Sequence, residues 1–145
     1  VTPAALELRP HHLLCLLAFI GRGYSPGFVA RMRELQRRYL DPAMTIRLVE
    51  GPDDACRACP ELEAAGCGRD AAGVRALDRR VLAATGLTPG IHTAGALHRT
   101  LARTFAAVDP GEVCGACSWR DLVDCPALIR RRLEALRPQP APDAR

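Results

Sequence analysis

Two stretches of this 145-residue chain carry the same cysteine skeleton: CRACPELEAAGC at residues 56–67 and CGACSWRDLVDC at residues 114–125, each reading Cys-x2-Cys-x7-Cys. Two residues between thiols let both sulfurs turn toward one ion or cluster, and the amides of the turn can hydrogen-bond the negative sulfurs. One such pair is a moderate signal; two, each with a third cysteine at equal distance, are a strong one. Three thiols are nevertheless one short of the usual tetrahedral set, so the skeleton predicts metal-binding loops and raises the question of what completes them.

The length predicts one domain, with a core large enough to need no disulfide staples. Aromatic residues make up 4% of the chain against 48% for all hydrophobic residues, so that core is mostly Leu, Val and Ala, which suits packed helices. The net charge of +4 comes from twenty arginines and no lysine. The doublets Arg37-Arg38 and Arg79-Arg80 and the triplet Arg130-Arg131-Arg132 fall in different segments. Solvated helix faces therefore explain them better than a nucleic-acid stripe. The apolar run Leu13 to Ile20 is eight residues long, too short for a bilayer, and lacks the flanks of a secretory signal. The expectation is a cytoplasmic protein whose seven cysteines, an odd number, are reduced thiols or metal ligands.

Helical patterns fill most of the chain. Pro10 suits the first position of a helix running through the apolar residues to Ile20, ended by Gly21 and Gly23. Ser25 and Pro26 open a second, with Phe28, Met32, Leu35 and Tyr39 on one stripe. Thr45 to Val49 is the one convincing strand, and it needs a partner that the sequence does not reveal. Asp70 caps a third helix with Val74, Leu77, Val81 and Leu82 inward, closed by Gly86. A fourth runs from about Thr93 to Ala107 with Leu97, Leu101 and Phe105 inward. Ser118 and Asp121 stand as a weak capping box, and Pro126 places the start of the last helix at about Ala127. The fold class predicted is mainly α: a small single-domain helical bundle over residues 1–136, with one or two short strands and Cys-rich metal-binding loops. Residues 137–145, with three prolines, read as a disordered tail.

Candidates for the missing ligands sit in HHLLC, residues 11–15. His11 is four residues and His12 three residues before Cys15, so on a helix Cys15 shares a face with either imidazole. The six cysteines Cys56, Cys59, Cys67, Cys114, Cys117 and Cys125, with Cys15 and one histidine, make eight ligands, enough for two sites. Each also has a plainer reading: Cys15 as a small core residue, the histidines as a solvated first turn. The acidic pair Asp53-Asp54 reads as shaping a turn or orienting the cysteine loop rather than as an acid and base.

Zinc ribbons bring two Cys-x2-Cys pairs together across some fifteen to twenty residues, whereas fifty-four residues separate Cys59 from Cys114 here. Cys59 and Cys125 are each followed by proline, as at the end of bacterial ferredoxin motifs. Trp119 suits either a shield over a cluster or a core position. No GxSxG, GxGxxG, HExxH or phosphate loop is present, and no catalytic residue stands out.

The segments LRPHHLLC (8–15), GRGYSPGFV (21–29), LVEGPDDAC with RACP (48–60) and CGACSW (114–119) together resemble the bacterial and archaeal family known as domain of unknown function 1284. In that family's pattern the last cysteine follows the tryptophan more closely than Cys125 does here. The resemblance implies iron–sulfur binding and turns the choice of metal from zinc toward iron. The expectation is one or two clusters, of 4Fe–4S type, with zinc as the alternative. An iron–sulfur protein of this size would transfer single electrons to a redox partner protein, or sense oxidants or iron. A closed zinc site would instead hold loops to the core and present a surface to a partner.

Overall fold

The computed structural model describes residues 5–21, 26–58, 62–63, 66–67, 71–114 and 125–136. Helices dominate them, around a three-stranded sheet and a separate two-stranded pair. In chain order the elements are β1 (Leu6–Leu8), α1 (His12–Ala18), α2 (Pro26–Tyr39), β2 (Thr45–Leu48), a 3-10 turn (Cys56–Ala58), β3 (Leu62–Glu63), β4 (Gly66–Cys67), α3 (Ala71–Thr85), β5 (Gly90–Thr93), α4 (Ala94–Ala107), α5 (Pro110–Cys114) and α6 (Cys125–Ala135). The mainly α expectation holds. No helix among the described residues is long and apolar enough to cross a membrane.

The strand read from Thr45 onward has two partners. β1 runs parallel to β2 with Leu6 opposite Ile46 and Leu8 opposite Leu48, and β5 runs antiparallel on the other side with Ile46 opposite His92. Leu6, Leu8, Ile46 and Leu48 are buried while Arg47 between them is exposed, so the sheet lays one face on the core. A parallel pair needs a long crossover, and residues 9–44, with α1 and α2, supply it.

α1 is shorter than the apolar run suggests. Its first residue is His12 rather than Pro10, which lies in the preceding turn closed by His12 N–H to the Arg9 carbonyl at 3.0 Å. It ends at Ala18 because Phe19 is extended and the Gln36 amide from α2 donates to the carbonyls of Leu16 (2.7 Å) and Phe19 (3.0 Å). Those are carbonyls that a helix end leaves unmatched. Ile20, beyond the helix end, is 49% exposed.

The α2 stripe Phe28, Met32, Leu35 and Tyr39 is buried as read. α3 buries Leu77 and Val81 and stops at Gly86, whose φ of +73° and N–H to the Leu82 carbonyl (2.8 Å) form a left-handed end. Thr93 caps α4, its hydroxyl accepting from Ala96 N–H. α6 starts at Cys125, two residues before the expected position, because Pro126 falls in the first turn where its missing N–H has no cost. α1 packs on α2 and α6, α4 on α3 and α6, and the short α5 on α3 and α6. The expected caps Ser25 and Asp70, the Ser118–Asp121 box, Gly23 and the tail 137–145 lie outside the described residues.

Candidate metal centre

The end of β1 feeds directly into a buried polar cluster. Beyond the β1–β2 pairing, the backbone of β1 continues along the loop that follows β2: Val49 N–H donates to the Leu8 carbonyl (3.0 Å) and Asp54 N–H to the Glu7 carbonyl (3.1 Å). Glu7 N–H in turn donates to the Asp54 carboxylate at 2.8 Å. Gly51, at φ +97°, lets the chain turn into this position, and GPDD then places Asp53 beneath the Arg9-Pro10-His11-His12 turn.

Asp53 is fully buried. One oxygen, Oδ2, accepts from Arg9 N–H and from His12 Nδ1, each at 2.7 Å. The other, Oδ1, accepts from Cys56 N–H at 3.0 Å and so caps the 3-10 turn that opens the first cysteine set. Asp53 therefore orients the cysteine loop, as its position in the sequence suggested, and also orients an imidazole. Asp54 serves the turn, and Arg57 pairs with both Asp54 and Glu7 at the surface.

A second carboxylate comes from α3. Asp78 Oδ2 receives Arg9 Nε and Nη2, both at 2.8 Å, while Oδ1 receives His11 backbone N–H (3.0 Å) and His11 Nδ1 (2.7 Å). Arg9, 3% exposed, uses its remaining arm on sulfur: Nη1 donates to Cys56 Sγ at 3.7 Å. The His11 and His12 rings lie 4.2 Å apart, tilted by 55°.

The electrostatics follow from this wiring. Burial alone would raise both carboxyls. For Asp53 the His12 ring and the amides of Arg9 and Cys56 outweigh burial and hold it well below the usual range. For Asp78 the His11 ring and amide, with Arg9, do the same. Burial, with the neighbouring His12, pushes His11 down to about 4, so its ring is neutral near pH 7. Burial and then the charge of Asp53 push the Cys56 thiol up to about 11. An ionised carboxylate only accepts, so Nδ1 of each imidazole carries a proton, and Nε2 is the nitrogen left to coordinate. A carboxylate on one ring nitrogen with the other left to coordinate is the usual arrangement behind a metal-bound histidine.

Ligand-type atoms of His12, Asp53 and Cys56 all lie within 4.8 Å of one another, and among the described residues they form the one group of three or more such donors. A thiol, an imidazole and a carboxylate fit an iron or zinc ion and suit neither calcium nor magnesium. The structure thus brings together two of the residues singled out from sequence, His12 and Cys56. His11 instead stands on Asp78, outside the three-donor group, and Cys15, a turn further along α1, is outside it too.

Cys125 opens α6 and is buried in the core beside α1. The backbone of Cys67 ends β4, which lies against α3, and that of Cys114 ends α5, which is tied to α3 by Arg80 Nε donating to the Val113 carbonyl at 3.0 Å. Cys59, Cys117 and Trp119 lie outside the described residues, as do the side chains of Cys67 and Cys114.

Sequence reading missed Arg9 and Asp78. A signal for Asp78 was present: it falls inside the α3 stripe between Leu77 and Val81, where a carboxylate has to find a partner. Arg9 carried no comparable mark.

Comparison with curated proteins and with solved structures returned no match. Comparison with family models matched residues 23–123 to the model described as protein of unknown function DUF1284. Asp53, Cys56 and Asp78 lie within that span, Arg9, His11 and His12 precede it and Cys125 follows it. The match covers more than two-thirds of the chain, and the chain therefore belongs to the DUF1284 family.

Proposed function

We propose that this protein binds an iron–sulfur cluster through its Cys-x2-Cys-x7-Cys sets and serves in single-electron transfer or in sensing redox state or iron. The observation that carries the reading is the grouping of Cys56, the first thiol of the first set, with His12, whose Nδ1 is held by a fully buried carboxylate. That preparation of an imidazole beside a thiol is costly to bury and gains its purpose when a metal is bound. Because the Cys56 thiol is held protonated, loading requires a metal to displace its proton, which soft iron and zinc do. The cysteine spacing, with a third thiol in each set, favours iron–sulfur. A reducing compartment such as the cytoplasm and a redox partner protein complete the reading.

The same pairing of a thiol with a carboxylate-held imidazole favours a second reading, a structural zinc ion that pins the cysteine loop to the helical core. Purification without oxygen decides between them, with an absorption spectrum and assays of iron, sulfide and zinc on one sample. Broad absorption near ~400 nm with matched iron and sulfide supports the cluster. Colourless protein with stoichiometric zinc supports the structural ion, and protein free of both metals refutes the metal centre.

A further inference from the structure

Arg9 is unusual among the described arginines: it is buried, and its guanidinium is divided between a carboxylate and a sulfur. Nε and Nη2 both meet Asp78 Oδ2, which fixes the plane of the group, and the same carboxylate is steadied from its other oxygen by two donors of His11. The third nitrogen is then aimed at Cys56 Sγ with little freedom. An N–H to sulfur bond removes electron density from a thiolate, favours the more negative reduced state of a centre bound through it, and so raises its potential. A lysine cannot reproduce this, because an ammonium lacks the planar fork that serves two acceptors in fixed directions.

Resting on the reading that iron is bound through Cys56, we propose that Arg9 is a positioning residue that sets the reduction potential of the centre through its hydrogen bond to Cys56 Sγ, with Asp78 as the clamp that aims it. His11 belongs to the same device: its Nδ1–H and backbone N–H occupy Asp78 Oδ1 and leave Oδ2 to the guanidinium.

The test compares wild type, Arg9→Lys and the pair Arg9→Met with Asp78→Asn, each the full chain prepared without oxygen. The double variant removes one positive and one negative charge together, so net charge near the sulfur is unchanged while the N–H to sulfur bond is lost along with the Arg9–Asp78 pair that aims it. The side-chain amide introduced by Asp78→Asn still offers His11 an acceptor, which keeps the turn in place if Arg9→Lys fails to fold. Iron content, far-ultraviolet circular dichroism and the midpoint potential are measured on each. The expected result is wild-type iron content and helicity with a more negative midpoint potential in both variants. Unchanged potential at full iron content overturns the role of Arg9 alone. Loss of iron from folded variants overturns it too, since Arg9 would then hold the loop rather than tune the sulfur. Wild type without iron overturns the cluster reading itself, and this proposal with it.

Discussion

Asp78→Ala is the sharpest probe of the cluster, because one change breaks every link between α3 and the β1–α1 turn within it. The substitution strands the Arg9 guanidinium, 3% exposed, and removes the acceptor of both His11 donors. Breaking a buried ion pair from one side costs about 3–5 kcal/mol, most of it the penalty of the charge left behind. Set against a total of about 5–15 kcal/mol for a native domain, a loss near the middle of that range leaves the fold marginal. At about 2–4 °C per kcal/mol for a chain of roughly this length, the melting temperature falls by about 8–16 °C.

Urea unfolding followed by circular dichroism measures the change. Arg47→Ala is the reference, since that arginine is 59% exposed and 3.4 Å from Glu7; an exposed pair of this kind contributes no more than about 1 kcal/mol. Adding Arg9→Met to Asp78→Ala should recover part of the loss, because no buried charge then remains without its partner. If Asp78→Ala costs no more than Arg47→Ala, the buried pair is not what holds α3 to the turn and the reasoning fails.

Acidification should weaken the fold through His11. Its folded value of about 4 lies below the ordinary histidine value of 6.5, so between those limits the unfolded chain binds more protons and stability falls as pH falls. The loss across that window is about 3 kcal/mol, and it should be small in His11→Asn, whose amide still donates to Asp78; equal pH slopes in the two proteins would count against the buried neutral ring. The depressed carboxyls of Asp53 and Asp78 add stability that disappears at still lower pH, as each is protonated in the folded state. Tyr39→Phe should leave stability unchanged or raise it by about 1 kcal/mol in thermal melts, because the Tyr39 hydroxyl is buried beside His98 with no hydrogen-bond partner among the described residues; a loss above that size would reveal a bond to the hydroxyl. Cys56→Ser and His12→Ala should each lower bound metal at least severalfold in elemental analysis, while Arg47→Ala retains it; full occupancy in both would remove His12 and Cys56 from the ligand set.

Much of the molecule was written in local pattern. The stripes of α2 and α4, the glycine that ends α3 and the strand at Thr45 depend on spacing and on neighbours within a few residues, which is why they were legible. The helix end at Phe19 was not, because it is made by Gln36, seventeen residues away, taking the final carbonyls. The partner strands were hidden for a similar reason. LEL and GIHT are too short to show alternation, and they are strands because β2 lies between them.

The chemistry divides along the same line. The repeated cysteine skeleton, the adjacent histidines and the acidic pair are chain-local facts, and by themselves they determined that the thiols form two sets and that imidazoles stand near a helix start. Only the tertiary structure decided that His12 meets Cys56, that His11 turns to Asp78, and that Arg9 reaches a sulfur, since the hydrogen bonds that assemble the cluster span 41 to 69 residues of chain. A buried ion has no sequence periodicity of its own: its partner is whichever charge the fold carries to within hydrogen-bond reach, and burial then makes that partner obligatory.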